Sequence, residues 1–213
     1  MIVVPAGKDH SYLARERDAG LALVFVDRPP AFLDADTVLS DNAEATARAI
    51  RGMAERGHRR IGFLSDRAEL YTAQARLQGY RDALSALGIA EDPALERANL
   101  ANPTSVDAAV RELFALPDPP TALFTGQNLI TTATLHTLRA LGLQTSIAII
   151  GFDDFELADL LEPAVSVVAQ NASELGRTAA ELLFARIDGD SSPSKRVVVP
   201  TTLIERGSGE IAP

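Results

Sequence analysis

Six side chains that could meet a polar ligand fall in equivalent places along the chain: Asp27, Gln127, Asn128, Asp153 and Gln170 each follow a short apolar run, and Arg76 stands near the start of an amphipathic stretch. Carboxylates accept pairs of hydroxyl hydrogens, a guanidinium donates in a plane, and an amide does both. Such a mixture matches a polyhydroxylated molecule, whose vicinal hydroxyls donate and accept at once. It is poorly matched to catalysis. Adjacent residues such as Asp153 and Asp154 usually point apart, whereas glycosidase carboxylates flank a bond from two sides. The chain also has no Gly-Xaa-Ser-Xaa-Gly elbow and no phosphate loop. No catalytic residue is assigned.

Each of these residues has a plainer reading. Asp27 could cap the turn before Pro29-Pro30, Arg76 could lie on a helix surface, and Gln170 could satisfy backbone groups. One of Asp153 and Asp154 is expected to reach a ligand while the other holds the loop, and Asp153 is preferred. Phe152 and Tyr71 could stack on a sugar face or serve the core. His10, His58 and His136 show no metal-ligand spacing and are read as structural or exposed, so neither a metal nor a cofactor is expected.

The elements that must position these groups alternate. Apolar runs at 2–4, 21–26, 37–39, 61–64, 121–124, 147–150, 165–168, 196–199 and 202–204 read as strands, most of them too continuously apolar to have a solvent face. Between them, helical spacing runs from Asp41 to Gly57, over about 70–87, from a Ser105 cap to Phe114, from Asn128 to Gly142, and from Asn171 to about Ile187. A weak helix is read at 10–19, and Leu95–Leu100 could add a strand. The tail after Gly207 is read as frayed. Strands alternating with helices imply one parallel α/β sheet or two. Ligands in such folds bind beyond the carboxyl ends of the strands, which is where the polar groups fall.

Composition narrows the class. A net charge of −9 disfavours a nucleic-acid surface, since phosphate contacts need clustered cations. The cluster His58-Arg59-Arg60 reads as a solvated helix end. The absence of cysteine excludes a disulfide framework and suits a cytoplasmic protein. No run reaches membrane-helix length, and Met1-Ile2-Val3-Val4-Pro5 has no secretory-leader pattern.

The segments Phe25-Val26-Asp27-Arg28-Pro29, Ser40-Asp41-Asn42, Gly57 to Phe63, Arg76-Leu77-Gln78-Gly79-Tyr80, Pro120 to Phe124, Gly151-Phe152-Asp153-Asp154 and Glu174-Leu175-Gly176-Arg177, taken in order, resemble the effector-binding core of lactose-repressor-type (LacI/GalR) transcription regulators. Each motif alone is weak, but seven in series over about residues 2 to 206 are not. The resemblance implies a type I periplasmic-binding-protein-like α/β fold of two parallel-sheet subdomains joined by three crossovers. The N-terminal subdomain would be residues 1–39 plus 171–198, incomplete for want of its first strand-helix units, and the C-terminal subdomain 40–170 plus 199–213.

It also implies ligand contacts from Asp27, Arg76, Gln127, Asn128, Asp153 and Gln170. Gln127 departs from the Asn or Asp more usual at its position. A sugar-like effector or related polyol, a homodimer, a repressor role in the cytoplasm, and DNA binding only through a headpiece outside this chain would follow. A transport-type sugar receptor of the same fold is the alternative.

Overall fold

A computed structural model describes residues 1–7 and 9–213. Its strands are β1 (Ile2–Val3), β2 (Val24–Val26), β3 (Asp36–Ser40), β4 (Ile61–Leu64), β5 (Glu96–Arg97), β6 (Ala122–Thr125), β7 (Ala148–Phe152), β8 (Ser166–Ala169), β9 (Arg196–Val199) and β10 (Thr202–Ile204). Its helices are α1 (Ala14–Asp18), α2 (Asn42–Glu55), α3 (Tyr71–Ala86), α4 (Pro103–Phe114), α5 (Asn128–Ala140) and α6 (Ala172–Ile187). The chain divides into two compact units, Met1–Asp41 with Asn171–Thr201 and Asn42–Gln170 with Thr202–Pro213.

In the first unit the sheet order is β1-β2-β3-β9, every pair parallel. Alternation along the strands sends Val24 and Val38 to one face, where they meet Leu175 and Ala179 of α6, and sends Phe25 to the other, against Leu13 and Leu23. Asp36, almost fully buried, ties the sheet to α6 through two hydrogen bonds from Arg186, at 2.7 and 2.8 Å.

The second unit has the order β10-β8-β7-β6-β4-β5, with β10 the antiparallel edge. Helices cover both faces. Ile50 and Met53 of α2 and Tyr80 and Leu84 of α3 pack on Ile61, Phe63, Phe124 and Ile150. Val106, Val110 and Leu113 of α4 and Ile130 and Leu138 of α5 pack on Leu64, Leu123 and Ile149. Double coverage is why β4, β6 and β7 read as unbroken apolar runs: all their residues are buried. The α2–α3 approach depends on Gly79, where an added Cβ would lie 2.0 Å from the Ala43 carbonyl oxygen.

Several local expectations need correction. His58 is not at a solvated helix end but wholly buried, with Nε2 donating to the Ile211 carbonyl at 2.8 Å and Nδ1 2.8 Å from Thr121 Oγ1. His10, read as structural or exposed, is structural: it is buried, and its Nδ1 accepts from the Ala31 amide. The tail is not frayed: Ser208 and Gly209 are buried, and Ser208 Oγ donates to the Ile149 carbonyl at 2.7 Å while accepting from the Ser166 amide. Ser105 is not the cap of α4. Asn102 is, and Ser105 returns a hydrogen bond to it in a reciprocal capping box. The strand between Leu95 and Leu100 shrinks to the two residues of β5.

Candidate effector-binding site

In the second unit the polar candidates gather beyond the carboxyl ends of β6, β7 and β8. Arg76 sits on the second turn of α3 and is only 4% exposed, an unusual fate for arginine. The structure explains its burial by what surrounds the guanidinium. Its Nε donates to Asn42 Oδ1 at 2.8 Å, and its Nη1 donates to the Gly126 carbonyl at 2.6 Å. Its Cζ lies 3.6 Å from the centroid of the buried Phe152 ring, in cation–π range. Asp153 Oδ2 is 3.9 Å from Nη1, near enough to offset the charge.

Asp153 follows β7 directly and takes a left-handed backbone conformation, φ 71°, while its amide donates to the Val168 carbonyl at 2.9 Å. The turn keeps the last ladder bond and swings the side chain off the sheet end. Aspartate tolerates this conformation better than most residues do. Gln170, just past β8, donates from Nε2 to Asp153 Oδ1 at 2.6 Å. Arg76, Asp153 and Gln170 thus form one linked series.

Gln127 and Asn128 stand at the start of α5, immediately after the Gly126 carbonyl that Arg76 holds. Gln127 is the residue before the first helical turn, with extended backbone, and its side chain does not cap the helix. Among the described residues neither amide side chain makes a hydrogen bond, although both are half-buried. They are the donors and acceptors here that the protein itself does not engage.

Asp154 takes the other role expected of the pair. Arg206 donates to both of its carboxylate oxygens, at 2.7 and 2.8 Å, and the Phe155 amide donates at 3.0 Å. The Arg206 hydrogen bonds hold its carboxyl below the usual carboxylate range against the opposing effect of partial burial.

Asp27 belongs to the first unit. It repeats the geometry of Asp153: it follows β2, has φ 72°, and its amide donates to the Val38 carbonyl of the neighbouring strand at 3.0 Å. Its carboxylate lies 3.2 Å from Arg28 Nε. Two aspartates at strand ends, one in each unit, are therefore presented by the same backbone turn.

Asn42 was not singled out by residue type. Its buried amide, the first residue of α2, orients Arg76 from 34 positions away. The single sequence signal was its place in the Ser40-Asp41-Asn42 motif. Phe152 proves to be a core residue that also forms the shelf under Arg76.

Against known proteins, the family model for the periplasmic binding protein-like domain matches residues 50–209. The chain belongs to this family. The transcriptional regulator CelR of Thermobifida fusca is 34% identical over 196 residues, 90% of this chain and 58% of its own length. The transcriptional repressor CytR of Escherichia coli is 33% identical over 183 residues, 85% of this chain and 54% of its own. The structure of a CelR–cellobiose complex superposes with a TM-score of 0.86 at 32% identity, covering 98% of this chain and 65% of that one. A LacI-family regulatory protein from Chloroflexus aggregans superposes with a TM-score of 0.89 at 26% identity, covering 97% and 75%. Within the family, the chain is an effector-binding core of the LacI type, and it spans just over half the length of the curated relatives it matches.

Proposed function

We propose that this core senses a sugar or a related polyol for a transcription regulator; the candidate contacts are Arg76, Gln127, Asn128, Asp153 and Gln170 within the second unit and Asp27 within the first. The carrying observation is the buried Arg76, anchored by Asn42 and Gly126 and linked through Asp153 to Gln170, beside two amides that the protein leaves unengaged. CelR, whose structure holds cellobiose, supports a sugar-like effector. The protein acts by binding and not by turnover. It works in the cytoplasm as a repressor, and DNA contact belongs to a headpiece separate from this acidic core. Regulation follows if the effector binds two arrangements of the protein with different affinity.

The core works as a homodimer, and a face of the second unit fits that role. Leu157 and Leu160 are 58% and 74% exposed beside a cavity of about 660 Å³ lined by Leu135, Phe155 and Leu161. Arg139 lies on the same lining as Glu156 and Glu162, so two copies related by a two-fold axis can match both knob to hollow and cation to carboxylate. Leu160→Asp is expected to give a monomer by sedimentation. A wild-type chain that stays monomeric throughout the micromolar range removes the dimer from the proposal.

The test of sensing is a thermal-shift screen against monosaccharides, disaccharides, polyols and nucleosides. A ligand at about 100 times its Kd stabilises a fold by roughly 2.7 kcal/mol, which raises Tm visibly. The shift is expected to vanish in Asp153→Ala and in Arg76→Ala, provided circular dichroism shows each variant folded. A cooperative melt unmoved by every compound refutes the sensor reading.

A further inference from the structure

We infer that the effector is uncharged: a neutral polyhydroxylated molecule is accepted and its phosphorylated or carboxylated counterpart is rejected. The inference rests on the sensor reading and concerns the same site. An arginine at a sugar site ordinarily leaves open whether the partner is a hydroxyl or an anion, because the guanidinium fork suits both. Here the surroundings decide.

Arg76 does not present an uncompensated charge. Asp153 Oδ2 stands 3.9 Å from its Nη1, the Asn42 and Gly126 oxygens accept from two of its N–H groups, and the Phe152 ring faces its plane at 3.6 Å. The groups around the cation thus include one carboxylate, two neutral acceptors and an electron-rich ring. An anion brought to this cation would come close to Asp153 as well.

Asp154, next to Asp153, is balanced in the same manner by Arg206. In the first unit, Asp27 lies 3.2 Å from Arg28. Within the second unit Arg76 and Asp153 offset each other, and within the first Arg28 offsets Asp27. The groups that add recognition without charge are the Gln127 and Asn128 amides. A net charge of −9 over the whole chain works in the same direction.

The arrangement meets hydroxyls well. A carboxylate that keeps part of its lone-pair capacity accepts a pair of them, and amides both donate and accept. It meets a phosphate badly, since the dianion would have to displace or repel Asp153 to reach Arg76. A like-charge juxtaposition of that kind weakens binding by on the order of 100-fold or more.

Matched pairs separate the alternatives by calorimetric titration of the intact chain: cellobiose with cellobionate, glucose with glucose 6-phosphate, and ribose with ribose 5-phosphate. The expected result is that whichever neutral member binds does so at least 100-fold more tightly than its anion. In Asp153→Asn the ratio is expected to fall by at least tenfold, because the repelling carboxylate is gone. An anion that binds as tightly as its neutral partner, or tighter, overturns the inference while leaving the sensor reading intact. A folded chain that binds no member of any pair, nor any compound of the wider screen, overturns both.

Discussion

Gly79 and Gly176 both lie inside 16-residue helices, and replacing each by alanine should have opposite effects. Alanine is intrinsically the better helix former by about 1 kcal/mol. At Gly176 an added Cβ has nothing within 4 Å, so Gly176→Ala is expected to stabilise by about 0.5–1 kcal/mol. At Gly79 the added carbon would lie 2.0 Å from the Ala43 carbonyl oxygen, 2.7 Å from its carbon and 2.9 Å from its Cα.

These are backbone atoms of α2, which cannot swing aside as a side chain can. Real Cβ contacts essentially never fall under 3.0 Å, so α2 and α3 must part by about 1 Å. Overpacking of this kind costs about 1–3 kcal/mol. The same movement stretches the 2.8 Å bond between Arg76, one turn earlier on α3, and Asn42, the residue before Ala43, and loss of such a charge-assisted bond costs about 1.5–3 kcal/mol.

After the helix-propensity gain, Gly79→Ala should destabilise by about 1.5–5 kcal/mol and weaken binding of the effector proposed to contact Arg76. Urea denaturation of both variants beside the wild type, followed by titration with a ligand found in the screen, checks this. If Gly79→Ala is as stable as Gly176→Ala, or binds the ligand as wild type does, then the close helix approach does not position Arg76.

The remaining predictions concern two buried ionisable groups. Burial depresses the pKa of His58, the Ile211 carbonyl opposes that shift, and the Arg56 cation adds to it. Below about pH 6.5, the ordinary histidine value, the unfolded chain therefore takes up a proton that the folded chain resists. Stability is fully present above that pH and should decline as the pH falls below it. Urea midpoints between pH 7.5 and 5.5 should show the decline in wild type and a flatter profile in His58→Gln; matching profiles would remove His58 as the cause.

Asp36 resists protonation although burial works to raise its pKa, because hydrogen bonds from Arg186 and the Lys195 amide outweigh that effect. Asp36→Asn should cost about 3 kcal/mol, since it leaves a partly buried guanidinium without its carboxylate. A change in urea midpoint equivalent to under 1 kcal/mol would show that the pair does not anchor α6 to the sheet.

What the amino-acid order determined on its own is the local and periodic part of the molecule. The unbroken run Ile147 to Ile150 reads as a strand covered on both faces, and glycine-terminated amphipathic stretches read as helices; the structure has β7 and α5 there. Strand-end polar residues marked the candidate ligand side of the sheet, because chain direction puts the carboxyl ends of parallel strands on one edge. Sequence spacing could not tell which polar groups would be buried, since that depends on partners far away in the chain.

Arg76 looks like a surface residue until Asn42, Gly126 and Phe152 are placed around it. His58 reads as solvated until Ile211, from the supposedly loose tail, is packed over it. Asp153 and Asp154 have the same side chain, and Gln170 and Arg206 assign them different tasks. Each outcome is decided by desolvation: a polar group removed from water must find partners or lose stability, and the fold alone brings those partners within reach.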